Sequence, residues 1–439
     1  MKPKLHFTAL RNWINDPNGL IYYKGEYHLF YQHFPYAPCW GTMHWGHTVT
    51  KDFIHFQHLP IALYPSKKYD RNGCYSGSAI EMNGKMYLYY TAIQYLSEQD
   101  DYIHVQQSGN DIIACQALVI SEDGYHFDNR KNKYLIIDTI KDETLGNYRH
   151  TRDPKVWRTK DNKISLIIGS KMKKDNQYYG EALFYESDDG VHFTYKNRFI
   201  DETLGDMWEC PDIFEIDDQW YIVCSPEHIR KSQPENNAIY FPILFNEKTY
   251  TVQKEGNYEY LDYGLDFYAP QTFLDENQQR IMIGWLRMRE PIKKEEWVGM
   301  LSMPRVLINR NNHLYQKVIP QIQQLFHRET NLIKMDQPFL LNVTLTKESY
   351  INLGGFEIYI QDDCLYTNRE KVLNKIEKTS YIQHTPQLNN QYELEIYYDY
   401  HVFEIFINDG YYVISQIVDD LNDAYTLNAI KKLKIKVID

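Results

Sequence analysis

Three carboxylic acids, Asp16, Asp153 and Glu209, occupy the same place in three copies of a repeated sequence pattern. In each copy the acid lies at the start of one apolar run, a turn sequence follows, and a second apolar run begins at the same distance from the acid. Two strands joined by a short turn form a β-hairpin. If the hairpins are equivalent units around one axis, the carboxylates converge. The spacing therefore predicts a single site that holds three acids.

Three convergent carboxyl groups fit the hydrolysis of a glycosidic bond. A retaining glycosidase needs an ionised carboxylate as nucleophile and a protonated carboxyl as general acid, and a further carboxylate can stabilise the oxocarbenium-like transition state. Arg152 should keep its neighbour Asp153 ionised, whereas apolar neighbours should raise the pKa of Glu209 towards that of a general acid. Each acid also has a structural interpretation, as a turn former, a surface ion pair or a buried strand end.

Two further copies of the pattern, at 75–80 and 268–273, lack the acid. Five copies of a hairpin pattern predict a five-bladed β-propeller. Hairpins of any all-β protein share some of these features, but the spacing recurs without slippage in the three acidic copies. Turns that begin at Asp52, Asp123 and Asp189 form a second, weaker repeat and should lead into outer strands.

The last part of the chain has a different pattern, with short alternating strands and no acid motif. The sequence at 408–410, Asn-Asp-Gly, is a strong hairpin signal, and strands at this spacing are typical of a β-sandwich. We therefore expect an all-β chain, a five-bladed β-propeller followed by a C-terminal β-sandwich. The predicted ranges are 1–313 for the propeller, 314–325 for a linker and 326–439 for the sandwich.

Composition limits the function. The chain has 439 residues, too many for one ordinary core, and a net charge of −12, which argues against a nucleic-acid partner. No stretch reaches the length of a transmembrane helix, so no membrane partner is expected. Six scattered cysteines and the absence of a secretion leader before the first motif favour the cytoplasm. A homo-oligomer is possible, and neither cofactor nor metal is expected.

Several residues near the repeats suit sugar binding, because flat aromatic rings cover the apolar faces of sugars. Gln32 ends the first repeat strand, and Ser76 stands where the second copy would have an acid. Trp40, Trp45 and Trp285 lie in or beside the repeats. His44 and His47 could be interpreted as metal ligands, but no further ligand stands at a suitable spacing.

The motifs at 13–19, 30–32, 75–78, 152–154, 209–211 and 268–271 together resemble the motif set of glycoside hydrolase family 32, in the family's order. The segment 404–410 is similar to the family's C-terminal sandwich. The resemblance implies a retaining mechanism on β-fructofuranosides. It makes Asp16 the nucleophile, Glu209 the acid and base, and Asp153 the transition-state stabiliser. It places substrate contacts on Trp13, Asn15, Gln32, Trp40, Tyr75, Ser76, Arg152 and Trp285.

The substrate stays open at this point. Intracellular sucrose or sucrose-6-phosphate is favoured, and short fructo-oligosaccharides are the alternative. A phosphorylated sugar would need basic groups beyond Glu209, for which the candidates are His228, Arg230, Lys231, Arg287 and Arg289. Other classes fit less well: sialidases and arabinanase-like hydrolases are also propellers, and a propeller that only binds carbohydrate would have no need of all three acids.

Overall fold

The computed structural model describes residues 2–96, 112–229, 236–288, 290–292, 295–373 and 381–438. In these ranges the chain is almost entirely β-strand. The strands form five sheets with sequential antiparallel strands, followed by two sheets that face each other. The predicted all-β fold, a five-bladed propeller with a C-terminal sandwich, is confirmed.

Each propeller sheet, or blade, is built from consecutive strands in antiparallel order. Blade 1 contains β1 (Asn12–Tyr23), β2 (Glu26–Phe34), β3 (His44–Thr50) and β4 (Phe56–Leu63). After a 3₁₀ turn (Lys68–Asp70), blade 2 contains β5 (Gly73–Met82), β6 (Lys85–Tyr95), β7 (Ile112–Ser121) and β8 (Lys133–Ile137). Blade 3 contains β9 (Arg152–Arg158), β10 (Ile164–Lys174), β11 (Gln177–Ser187) and β12 (Thr194–Ile200).

The last two blades carry short additional strands. Blade 4 contains β13 (Met207–Ile216), β14 (Gln219–Glu227), β15 (Ile239–Asn246), β16 (Thr251–Lys254) and β17 (Glu259–Tyr260). Blade 5 contains β18 (Phe267–Leu274), β19 (Arg280–Leu286), β21 (Met300–Leu301), β22 (Arg305–Arg310) and β23 (His313–Val318), while β20 (Trp297–Val298) lies parallel to β1 in blade 1. The last blade therefore extends to Val318, whereas the predicted propeller ended at residue 313.

The sandwich follows a short helix, α1 (Pro320–Gln323). One sheet contains β24 (Arg328–Thr330), β25 (Phe339–Thr344), β30 (Glu393–Tyr398), β31 (Val402–Ile407), β32 (Tyr412–Ile417) and β34 (Lys432–Val437). The other contains β26 (Tyr350–Leu353), β27 (Phe356–Gln361), β28 (Cys364–Asn368), β29 (Ile382–His384) and β33 (Tyr425–Asn428). Side chains from both sheets, such as Phe339, Phe356 and Phe403, fill the space between them.

The innermost strands of the blades form a closed ring, since β1, β5, β9, β13 and β18 contact one another in that order and β18 returns to β1. A small pocket within this ring is lined by residues of all five strands, including Asn18, Gly77, Lys155, Asp212 and Gln271. Each blade begins at this axis. Residues at the start of the inner strands therefore lie close together although they are far apart in sequence.

Turn chemistry closes the hairpins. Both central residues of the β1–β2 turn, Lys24 and Gly25, have positive φ, as do Asn83 and Gly84 between β5 and β6. This backbone shape matches the right-handed twist of paired strands. The weaker repeat also has a structural role: the turns that begin at Asp52, Asp123 and Asp189 join the third and fourth strands of blades 1 to 3, at the outer side, and each aspartate accepts hydrogen bonds from the backbone that follows it.

Candidate active site

The inner strands all break their pairing register at the motif found in the sequence. A β-bulge of this kind places an extra residue in one strand and re-aims a side chain. Three of the bulged residues, Asp153, Cys210 and Ala269, have φ values of 68°, 45° and 44°. The five bulges meet around the axis and carry Asp16, Ser76, Asp153, Cys210 and Ala269.

The expected equivalence of the three acids is wrong for Glu209. Asp16 and Asp153 are bulged residues directly before a proline, and Cys210 takes that place in blade 4. Glu209 lies one residue earlier, at the position that corresponds to Arg152 and is still paired, with Ser225 across to β14. The hairpins differ in length, so an equal spacing to the next apolar run did not mean an equal place in the blade.

Asp16 and Asp153 nevertheless converge on one group, the side chain and backbone of Cys210. The Cys210 Sγ lies 3.5 Å from Asp16 Oδ2 and 3.6 Å from Asp153 Oδ2, and the Cys210 N–H donates to Asp153 Oδ2 at 2.9 Å. Ser76 Oγ donates to Asp16 Oδ2 at 2.5 Å, and Asn15 donates to its other oxygen at 3.1 Å. The bulges of blades 1, 2, 3 and 4 thus form one continuous polar surface.

Arg152 lies at ion-pair distance from its neighbour Asp153 and favours its ionised form, but its hydrogen bonds go to two other carboxylates. Its Nε is 3.9 Å from Asp153 Oδ2, whereas its Nη2 donates to Glu209 Oε1 at 2.7 Å and to Glu227 Oε1 at 2.9 Å. Successive residues of a strand point to opposite sides, so an arginine next to an acid in a strand reaches a different partner. Tyr268 OH donates to the second oxygen of Glu209 at 2.6 Å.

Four of the predicted sugar contacts are aromatic residues of blades 1, 2 and 5. Trp13 donates from its indole nitrogen to Asn15 Oδ1 at 2.8 Å and meets Trp285 edge to face, with ring centroids 5.9 Å apart. Trp40 and Tyr75 are in edge contact at 6.1 Å. These four aromatic rings belong to one apolar cluster, here called the aromatic wall, and Asn15 links it to Asp16 through hydrogen bonds to both Trp13 and Asp16.

Gln32 and the two histidines have structural partners. Gln32 is buried and donates to the Cys74 carbonyl at 3.1 Å, directly opposite the bulge of blade 1. His44 Nδ1 is 2.9 Å from the Thr42 carbonyl, and His47 Nε2 is 3.0 Å from His28 Nδ1 inside the blade. Each of these two histidines thus has one ring nitrogen engaged by a neighbour within blade 1.

The comparisons with known proteins agree with this geometry. Residues 6–318 match the model described as the glycosyl hydrolases family 32 N-terminal domain. The chain is 31% identical to the sucrose-6-phosphate hydrolase of Vibrio alginolyticus over 99% of this chain and 90% of that one. The Escherichia coli sucrose-6-phosphate hydrolase is 32% identical over 94% of this chain and 88% of that one. The chain belongs to glycoside hydrolase family 32.

Solved structures of the family show the same fold. A sucrose-6-phosphate hydrolase from Lactobacillus gasseri superposes with a TM-score of 0.85 at 24% identity and covers 100% of this chain and 93% of that one. A β-fructofuranosidase from Bombyx mori superposes with a TM-score of 0.79 at 25% identity over the same shares of both chains. The protein is accordingly an enzyme, a glycosidase of the β-fructofuranosidase class.

Burial dominates the electrostatics of this family 32 site. Burial raises the pKa of Asp153 to about 7, and the negative charges of Glu209 and Asp16 act in the same direction. The guanidinium of Arg152 acts to lower this pKa but does not outweigh burial. Burial also raises the pKa of Asp16, although the hydrogen bond from Ser76 opposes the shift. In both Asp16 and Asp153 burial thus favours the protonated form, against the groups that hydrogen-bond or attract the carboxylate.

The pKa of Glu209 shifts in the opposite direction, to a lower value. Burial acts to raise its pKa, but Arg152 and the hydrogen bonds from Arg152 and Tyr268 outweigh burial, so the pKa lies below the ordinary value. Burial and the neighbouring Glu209 raise the pKa of Glu227 instead. The apolar sequence neighbours of Glu209 predict a protonated carboxyl group. In the structure Arg152, from the neighbouring blade 3, favours the ionised form instead.

Three residues that contact the acids were not predicted as site residues: Cys210, Glu227 and Tyr268. Tyr268 could have been found, because it precedes the fifth bulge as Glu209 precedes the fourth. Glu227 ends β14 with no motif around it. Of the basic candidates for a phosphate, Arg287 stacks 4.4 Å over the ring of Tyr268 and His228 bonds Asp206, while Arg230, Lys231 and Arg289 lie outside the described residues.

Proposed function

We propose that the enzyme hydrolyses sucrose or sucrose-6-phosphate at the terminal β-D-fructofuranosyl unit, with retention and through a fructosyl-enzyme intermediate. The observation that carries this proposal is the convergence of Asp16, Asp153 and Glu209 from three separate blades. The names of the relatives, sucrose-6-phosphate hydrolases from several bacteria and a raffinose invertase from Escherichia coli, support the choice of substrate.

Each acid has a proposed role. The Asp16 carboxylate attacks the anomeric carbon of the fructosyl unit while the bond to the glucosyl oxygen breaks, and Glu209 protonates that oxygen. Water then attacks the anomeric carbon, Glu209 accepts the proton of the water, and the bond to Asp16 breaks. Asp153 binds fructose hydroxyls and stabilises the positive charge that develops on the ring. The aromatic wall and Asn15, Gln32, Ser76 and Arg152 bind the sugar.

The nucleophile is tested with Asp16→Asn. The variant should fold, because asparagine keeps the size, its oxygen can accept from Asn15, and its amide can donate to Ser76 Oγ, whose hydroxyl turns to accept. Turnover of sucrose should fall by roughly 10³-fold or more, the order of effect seen when a catalytic nucleophile is removed. Asp188→Asn, at an exposed turn, is the matched control. Hydrolysis at the wild-type rate by a folded Asp16→Asn variant would remove Asp16 from this role.

The choice between free and phosphorylated sugar is tested by comparing kcat/KM for sucrose, sucrose-6-phosphate and a short fructo-oligosaccharide. The residues around Glu209 carry both signs of charge: Lys171 lies near Glu227 and Asp206, and Arg287 stacks over the ring of Tyr268. A preference for the phosphorylated sugar of ~100-fold would correspond to about 2.7 kcal/mol of transition-state binding. Near-equal values would favour a general β-fructofuranosidase.

We also propose that the enzyme is located in the cytoplasm. All six cysteines carry free thiols in the structure, as is usual in a reducing compartment. Among the described residues, no helix has the length and apolar character needed to cross a membrane. Cell fractionation with detection of the protein tests the location. That the chain forms a homo-oligomer remains a prediction, and light scattering, which measures the molar mass in solution, tests it.

A further inference from the structure

The resting site poses a problem for its proposed chemistry. A general acid must carry a proton when the leaving group departs, yet Glu209 receives hydrogen bonds from Arg152 at 2.7 Å and Tyr268 at 2.6 Å, which favour its ionised form. Proton donors to both carboxylate oxygens leave little reason for Glu209 to be protonated. A source for the proton must therefore lie close to Glu209.

Glu227 is the group in that place. It ends β14 and pairs with Met207, two residues before Glu209 on the neighbouring strand β13. Its Oε1 and the Oε1 of Glu209 accept hydrogen bonds from the same nitrogen, Nη2 of Arg152. The two carboxyl groups therefore lie close together, and each acts on the pKa of the other. The negative charge of one carboxyl group favours the protonated form of the other, so a proton bound to this pair belongs to both groups.

We propose that Glu227 is a positioning residue that holds the proton of the carboxyl pair in the resting enzyme and returns it to Glu209 when substrate binds. This inference rests on the proposed role of Glu209 as general acid. The proton moves between the two carboxyl groups that share Arg152: the O–H bond of Glu227 breaks, an O–H bond forms on Glu209, and no other bond changes.

Charge balance favours such an exchange. Before and after the transfer the pair carries one negative charge, and Arg152 carries one positive charge between them. Arg152 can turn its main interaction from Glu209 to Glu227 without losing an ionised partner. The exchange therefore does not create an unpaired charge in a buried site, which would be costly. The glycosidic oxygen of the substrate, as a proton acceptor, favours the form in which Glu209 is protonated.

The groups that face Glu227 come from several elements. Arg152 on β9 and Lys171 on β10 favour its ionised form, as does His228 when charged, whereas Glu209 on β13 and the nearby Asp206 favour its protonated form. Tyr268 on β18 contacts the other side of Glu209 and not Glu227.

The test is the pH dependence of kcat/KM for sucrose in Glu227→Gln. Glutamine keeps the size of the side chain and an acceptor for Arg152 but carries no proton to share and no charge. Without the negative charge of Glu227, Glu209 should lose its proton at lower pH. The alkaline limb of the profile should therefore move to lower pH by ~1 unit or more, which corresponds to about a tenfold loss of kcat/KM at pH values above that limb. The acid limb should not move.

A second substrate separates this role from a structural one. An aryl β-D-fructofuranoside with an activated leaving group needs little protonation, so the loss of kcat/KM at pH 7.5 should be ~10-fold smaller with it than with sucrose. Equal losses for both substrates would overturn the proposal, and so would an unmoved alkaline limb. Glu227→Asp keeps a carboxyl group and should move the limb less than Glu227→Gln; equal shifts would point to lost packing and also overturn it.

Two controls complete the experiment. Asp206→Asn removes a negative charge from the same rim without a contact to Arg152 or Glu209, and a shift as large as that of Glu227→Gln would overturn the shared-proton explanation. Glu209→Gln tests the proposed function itself. If Glu209→Gln retains sucrose hydrolysis, the role of Glu209 fails; if it loses hydrolysis while Glu227→Gln shows no shift, only the inference about Glu227 fails.

Discussion

At the scale of residues, the site works by opposing influences on one carboxyl group. Glu209 is surrounded by a cation, a phenol and a second carboxyl group, and each acts on its pKa. Arg152 and Tyr268 lower it, whereas burial raises it. The phenol of Tyr268 has a pKa raised well above its ordinary value by burial, so it remains a hydrogen-bond donor throughout the working range of a glycosidase.

Replacement of Tyr268 by phenylalanine should therefore move the profile in the opposite direction from Glu227→Gln. Loss of the 2.6 Å hydrogen bond removes a contact that favours ionised Glu209, so the pKa of Glu209 rises and the alkaline limb of kcat/KM moves to higher pH. A hydrogen bond to a charged group contributes about 1.5–3 kcal/mol, so a shift of ~1 pH unit is expected.

Tyr22→Phe is the matched control for this prediction. Tyr22 also donates to a carboxylate, Glu276 Oε2, at 3.3 Å, but at the outer surface of the propeller. It should leave the pH profile unchanged. An acid shift in Tyr268→Phe would mean that the phenol does not act on Glu209 through this bond.

At the scale of elements, the inner strands could be predicted and their bulges could not. Strand, turn and repeat signals lie in local sequence, so the five hairpins and the motif positions of Asp16 and Asp153 were predicted from the chain alone. The offset of Glu209, the outward reach of Arg152 and the contact with Glu227 depend on how one blade packs against the next. The end of β14 shows no local pattern that reveals a partner on β9.

The packing between blades 3 and 4 is tested at Gly169. This glycine on β10 pairs with Arg152, and a Cβ added to it would lie 1.8 Å from the carbonyl oxygen of Trp208, the residue before Glu209. Gly169→Ala must push β13 away from β10. Overpacking of this kind typically costs 1–3 kcal/mol, so we expect urea unfolding to show a loss of about 2 kcal/mol or more.

Turnover should fall together with stability in Gly169→Ala, because displacement of β13 moves Glu209 relative to Arg152. Gly256→Ala is the control, since the nearest atom to its added Cβ is 3.7 Å away, on Pro242. If Gly169→Ala kept both wild-type stability and wild-type kcat, the close contact between these blades would not position the site.

At the scale of the whole molecule, propeller and sandwich share a core and a buried ionic network. Leu301 and Met303 of the last blade pack in one cluster with Leu340 and Phe406 of the sandwich. Across this contact Arg305 on β22 donates to Asp262 at 3.0 Å and, through Nη2, to Glu404 on β31 at 2.7 Å. The sandwich is therefore joined to the catalytic domain by a fully buried polar network as well as by apolar packing.

The N-terminal segment completes this network through His6. Its Nδ1 is 2.9 Å from Asp399 and its Nε2 is 2.8 Å from Glu404, so both ring nitrogens face carboxylates and the charged form is favoured. Burial alone would lower the pKa of His6, but the two carboxylates outweigh it and raise the pKa to about 9 from 6.5. A raised folded pKa gives stability that is complete below pH 6.5 and is lost as pH rises through about 9.

His6→Gln should remove this pH-dependent part of the stability. From the two pKa values the difference in unfolding free energy between wild type and variant should shrink by roughly 3 kcal/mol between pH 6.5 and pH 9.5. Urea unfolding at several pH values measures it, with His55→Gln, which removes a similar histidine–aspartate contact at the surface, as control. A difference that stays constant over this range would show that His6 is not charged in the folded protein, and the network would then hold the two domains together with one positive charge fewer than its geometry indicates.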